Sequence, residues 1–178
     1  MSGLLLRAAT RVSTPWKNGG GETTTVAVFP EGAGLSDFDW RISIARVDGD
    51  GPFSAFPGID RTLTLLTGGS LALNGHVLTP DSAPFAFDGA LPMQALVTGG
   101  PVHDLNVMTR RGRFSHSVAR VRGPVALGGV PAVRLLLALE DGYRGLSRWD
   151  ALLVGPHEVA KVTGEGTGLL VVMTELPG

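Results

Sequence analysis

Helix breakers constrain this chain more than any other feature. Its 26 glycines and 12 prolines are scattered along 178 residues, so few windows of 11 or more residues are free of one and helix can only be a minor component. Between the breakers lie short runs of strand character. They are TTTVAVF (23–29), WRISIARV (40–47), RTLTLL (61–66), SLALN (70–74), PFAF (84–87), MQALV (93–97) and DLNVM (104–108). A second series follows, AVRLLLAL (132–139), ALLVG (151–155), VAKVT (159–163) and LLVVMTE (169–175). Many short strands joined by Gly/Pro turns predict an all-β sandwich or barrel. The length fits one domain or two small fused ones, and 43% hydrophobic residues against 17% charged provide a core for them.

The same composition closes several functions. A net charge of -1 supplies no electrostatic footprint for nucleic acid. The absence of cysteine removes disulfides, thiolate metal sites and thiol nucleophiles. The N-terminal MSGLLLRAAT has no basic region before its leucines, and AVRLLLAL is interrupted by Arg134; both are too short to span a bilayer. A cytoplasmic protein that enters no membrane is expected.

An internal repeat divides the chain. Val97 to Thr109, VTGGPVHDLNVMT, aligns without a gap on Val162 to Thr174, VTGEGTGLLVVMT, with seven of thirteen positions identical. Two related β modules in tandem are expected, at 1–113 and 114–178, with 110–129 as the crossover. Strand alternation puts Val102, Asp104, Asn106 and Met108 on one face. In the ungapped alignment Asp104 becomes Leu169 and Asn106 becomes Val171. A polar interior in the first module and an apolar one in the second follow, and a polar interior needs something to satisfy it.

The stretch TPWKNGGGETT (14–24) is not a Walker A loop, because Lys17 precedes the glycines and a β run follows them. Successive N–H groups around Gly19 can instead form an anion-binding nest, with Lys17 as charge and Trp16 as an apolar wall. His76, His103, His116 and His157 are dispersed without ligand spacing, and no GxSxG elbow occurs. In GPFSAFPGIDR, two phenylalanines and two prolines shape a loop that delivers Asp60 and Arg61 to a strand. Arg61 is a natural bidentate partner for Asp60, Asp104 or a ligand's carboxylate.

Taken together, PWKNGGGETT, FDWRISIARVDGDGPFSAFPGIDRTLTLLTGGSLAL and HDLNVMTRRGR, in that order over most of residues 14–113, resemble the HutD/Ves family. The second half is similar only in general pattern. The resemblance implies a double-stranded β-helix of the cupin, RmlC-like jelly-roll type with two cupin-like modules in one chain. Cupins usually hold a metal on histidines and a glutamate; here HDLNVM stands at the second motif, so a metal-independent protein without a cofactor is implied. It also implies a link to histidine utilisation, through binding of a small acidic intermediate such as formylglutamate or urocanate, with no established enzymatic activity. One departure is Thr25, where the family leads one to expect glutamate.

The positions carried over are Trp16, Lys17, Asn18, Gly19, Arg41, Arg61, Asp104 and Asn106 as ligand contacts, with Asp60 in support. Lys17, Arg41 and Arg61 would face a carboxylate, Asn18 and Asn106 would bond an amide, and Asp104 would orient a cation or accept an N–H. The rival expectation is an isomerase, epimerase or hydrolase with Asp104 as general base. A third is an interaction module with no ligand. Homodimerisation stays open.

Overall fold

Strands form where apolar and polar residues alternate between glycine and proline punctuation, and nearly everywhere else the chain turns. The computed structural model describes residues 3–178. In chain order its strands are β1 (Leu4–Leu6), β2 (Ser13–Pro15), β3 (Gly21–Phe29), β4 (Trp40–Val47), β5 (Gly51–Phe53), β6 (Ile59–Thr67), β7 (Ser70–Leu73), β8 (His76–Leu78) and β9 (Phe85–Asp88). They continue as β10 (Met93–Thr98), β11 (Val102–Arg110), β12 (Phe114–Arg122), β13 (Val125–Leu127), β14 (Val133–Ala138), β15 (Ala151–Val154), β16 (Ala160–Val162) and β17 (Thr167–Glu175). Among the described residues the one helical element is a 3-10 turn at Ala8–Thr10. Every run expected from the sequence overlaps a strand, and WRISIARV coincides with β4.

The chain forms two compact units. The first, Val12–Arg113, has a six-stranded sheet in the order β2-β3-β4-β11-β6-β9 and a four-stranded sheet in the order β5-β10-β7-β8. Their inner faces share one core. Val47, Leu63, Leu65 and Val102 from the larger sheet pack with Leu71, Leu73 and Met93 from the smaller. A second cluster, Phe38, Ile59 and Met108, closes one end.

The other unit joins the segment ending at Arg11 to Phe114–Gly178. It contains a five-stranded sheet, β1-β15-β14-β17-β12, and the pair β13-β16. Leu136, Leu152, Val154, Val125, Val162 and Tyr143 form its core. Here β1 differs from expectation: the N-terminal leucines, assigned by sequence to the first module, pair with β15 through Leu4–Leu153 and Leu6–Ala151. The physical reason is that apolar β15, bonded to β14 on one side, has a second edge that needs a partner.

The crossover expected at 110–129 is also different, since it contains β12, a nine-residue strand bonded to β17. Ser115, Ser117, Ala119, Arg120 and Arg122 are exposed along it, as befits an edge strand, and so much polar sequence hides a strand from pattern reading.

The ungapped repeat misassigns faces in the second unit. β10 and β11 are joined by residues 99–101, whereas β16 and β17 are joined by 163–166, one residue longer. A shift of one residue turns every side chain to the opposite face. Leu170 is paired with Leu136 and packs on that unit's core, so Leu169 and Val171 point the other way. In β11, Asp104 and Asn106 are paired with Leu65 and Leu63 of the first unit's core. On β17 the residues on the second unit's core face are therefore Leu170 and Val172.

Candidate functional site

On the inner face of the first unit, three charged or amide side chains are linked in series. Arg61 of β6 donates from Nη2 to Asn106 Oδ1 at 2.7 Å, and Asn106 donates from Nδ2 to Asp104 Oδ1 at 2.6 Å. Arg61 also donates from Nη1 to the Ser54 carbonyl at 3.0 Å. Strand alternation explains the meeting: Asp104 and Asn106 are two apart on β11, and Arg61 lies across from Met108, one step further along the same face. Asp104 is 0%, Arg61 5% and Asn106 6% exposed, so the whole series is buried.

Burial governs the protonation of both ends. Asp104 has its carboxyl pushed up to about 7 by burial, opposed by the Arg61 charge and the Asn106 hydrogen bond. Burial lowers the Arg61 guanidinium to about 10, against the attraction of Asp104. One atom at each end has no partner: Arg61 Nε and Asp104 Oδ2 are buried and unbonded. A buried donor and a buried acceptor without partners call for a ligand group or ordered water.

Aromatic rings surround the cation. The Arg61 guanidinium carbon lies 5.1 Å from the Phe87 ring, 5.3 Å from Phe56 and 5.9 Å from Phe53, within the range of cation–π attraction. These phenylalanines were not among the residues expected to contact a ligand. FSAF and PFAF contained them, but alternation alone says nothing of which cation a ring meets.

The glycine loop is built differently from its expected role. Trp16 packs edge-on against Phe53, ring centroids 6.2 Å apart, and its Nε1 donates to Thr23 Oγ1 at 2.7 Å. Asn18 instead closes its own turn, accepting the Gly20 N–H on Oδ1 at 2.9 Å, a local Asx bond. Gly19 takes φ 73, and Gly21 lies so close to the Arg46 carbonyl that no Cβ fits. Lys17, Asn18 and Gly19 are exposed, with no contact to the Arg61 series.

Arg41 lies across from Met108 on β4, on the same inner face as Arg61. It is half-buried and donates from Nη2 to Thr25 Oγ1 at 2.8 Å, at the position where glutamate was expected; burial lowers its pKa. Asp60, adjacent to Arg61 and hence on the opposite face, pairs with Arg111 at 2.7 Å, which also meets Asp88 at 3.1 Å. The structure thus brings Arg61, Asn106 and Asp104 into contact, adds Trp16 through Phe53, keeps Arg41 on the same face, and leaves Lys17, Asn18, Gly19 and Asp60 apart.

The second unit also buries an arginine. Arg134 is 4% exposed and donates from Nη2 to the carbonyls of Gly155 at 3.2 Å and Glu158 at 3.1 Å. It shares a face with Leu136, so that interior is not wholly aliphatic. Among the described residues, no helix is long and apolar enough to cross a membrane.

The HutD family model matches residues 8–166. Protein Ves of Citrobacter koseri is 44% identical over 178 residues, covering 92% of this chain and 90% of that protein. The solved structure of HutD from Pseudomonas fluorescens SBW25, in a formate condition, superimposes with a TM-score of 0.84 at 29% identity, covering 98% of this chain and 99% of that one. A cupin 2 conserved barrel protein from Leptotrichia buccalis superimposes at 0.54 over 93% of this chain and 92% of its own, at 9% identity, a likeness of fold. The fold is all-β and cupin-like. The metal that cupins usually hold does not fit the residues present. Among the described residues no three His, Cys, Asp or Glu side chains converge, and His103, on the face opposite Asp104, bonds Thr67 at 3.0 Å.

Proposed function

The chain belongs to the HutD family, and from that premise we propose that it is a metal-independent small-molecule binding protein that senses or modulates histidine utilisation. Its ligand is a small organic acid of formylglutamate or urocanate type, held in the first unit. The observation that carries the reading is the buried Arg61–Asn106–Asp104 series with an open donor at Arg61 Nε and an open acceptor at Asp104 Oδ2. An arginine in an aromatic surround matches a carboxylate, and an N–H of an amide or imidazole matches Asp104. Arg41 adds positive charge on the same face.

Calorimetry with formylglutamate, urocanate and glutamate tests it on the wild type and on Asn106→Val. Heat from at least one of the three is expected in the wild type, with loss in the variant; no heat from any of them sinks the ligand assignment. A second reading, an isomerase, epimerase or hydrolase with Asp104 as general base, is favoured by one observation, a fully buried carboxyl linked through Asn106 to Arg61, which burial raises to about 7. Proton NMR of the same compounds incubated with enzyme-level protein tests it, and unchanged spectra exclude turnover of those compounds.

A further inference from the structure

Resting on that binding reading, we infer that the first unit's site takes up a carboxylate and a proton together, with Asp104 as the seat of the proton. The geometry requires it. The series contains one cation and one carboxyl separated by a single amide, with hydrogen bonds of 2.7 and 2.6 Å. A ligand carboxylate seated on Arg61 places a second negative group one amide away from the first, among buried side chains. Arg41 is half-buried and bonded to Thr25, so the two carboxylates share Arg61 as the one buried cation of the series. In such a place they do not both stay ionised. The ligand's carboxylate has the arginine, so the proton goes to Asp104, whose unbonded Oδ2 is the atom that receives it.

No other group facing this interior can take that proton's place. The larger sheet presents Arg41 from β4 beside hydroxyls Thr23 and Thr25 from β3, and β9 presents Phe85 and Phe87. From the smaller sheet come Phe53, aliphatic side chains and, at its edge, His76 of β8, exposed and stacked on Phe85 at 4.0 Å. Asp50 is exposed and accepts the Val97 N–H. Lys17 is exposed in the β2–β3 turn. Burial has already raised the Asp104 carboxyl to about 7, so the proton is available at neutral pH.

Only the protonated fraction of the site then binds an anion, and apparent affinity follows that fraction. Calorimetry with N-formylglutamate from pH 5.5 to 8.5, repeated in buffers of different ionisation enthalpy, counts the proton directly on the wild-type protein. Affinity is expected to be flat below about pH 7 and to fall about tenfold per pH unit above it, with close to one proton taken up per ligand at pH 8. Asp104→Asn, which mimics the protonated acid, should bind with pH-independent affinity and no uptake, while His76→Gln should keep the wild-type slope. Binding with no uptake and no slope overturns the coupling and leaves the binding reading standing. A slope that disappears in His76→Gln also overturns it. No heat at any pH removes the binding reading and the coupling with it.

Discussion

Each unit of the molecule buries an arginine on its inner face, and the two differ in whether an acid is linked to them. Arg134 donates to the carbonyls of Gly155 and Glu158, tying down the turn after β15 beside an aliphatic core. Arg61 reaches across its sheet to Asn106, and through it to a buried acid. Where Asp104 and Asn106 stand in one interior, Leu170 and Val172 stand in the other. Both arginines donate to backbone carbonyls and keep buried N–H groups unbonded. Arg134 acts on backbone alone, as a strut, whereas Arg61 is also balanced against a titratable acid, which leaves the site's charge adjustable. Buried ionic groups contribute little net stability against an apolar replacement, and under the proposed function the first interior is kept polar for its ligand.

Substitutions in the two interiors separate these roles. Leu136→Ala, in the aliphatic core at 0% exposure, should cost about 2–5 kcal/mol in urea denaturation and leave ligand affinity unchanged. Arg61→Met should cost about 3 kcal/mol at pH 8, because it leaves a buried carboxylate without its cation. The loss should shrink at pH 5.5, where Asp104 is protonated, and binding should vanish at both. Equal losses at the two pH values would show that Arg61 acts through packing alone.

Asp104→Asn should stabilise the protein above neutrality. The folded carboxyl titrates near 7, against 3.8 for the unfolded chain, so between about pH 4 and 7 the folded state holds a proton that the unfolded state has lost. Wild-type stability therefore falls across that window and levels off above it, by at most about 4 kcal/mol. Denaturation midpoints of the variant should lack this fall; a parallel profile in both proteins would place the titration elsewhere. By contrast, Arg134→Met should change stability by no more than about 1 kcal/mol, since the apolar side chain offsets two lost carbonyl bonds, with no effect on binding.

Much of this was legible in the sequence, and the failures have a common source. Strands were visible because glycine and proline bound them and their alternation is local. Asp104 and Asn106 were visible as polar residues sharing one face of an apolar strand. What could not be read was which long-range partner each residue meets. Asp60 and Arg61 are neighbours in sequence, yet adjacent strand residues face opposite ways, so Asp60 pairs with Arg111 and Arg61 with Asn106. Asn18, which its motif suggests as a ligand contact, accepts the N–H of its own turn on Oδ1, a bond decided by local backbone geometry. The one extra residue in 163–166 reversed the faces of the second repeat, and no count of identities reveals that.

The smallest effect is expected at Thr25, and it bears on whether Arg41 belongs with the strut or with the adjustable site. Arg41 is half-buried, bonded to the Thr25 hydroxyl at 2.8 Å, and otherwise free to offer charge to the inner face it shares with Arg61. Thr25→Glu brings a carboxylate to the same guanidinium and can bond it bidentately. Because the pair is partly solvated, the gain should be about 0.5–1 kcal/mol in denaturation midpoint. Affinity for N-formylglutamate decides the role. If Arg41 contributes positive charge to the bound acid, neutralising it should weaken binding several-fold while stability rises. Unchanged affinity would assign Arg41 to the framework, like Arg134, and leave Arg61 as the cation that the ligand meets.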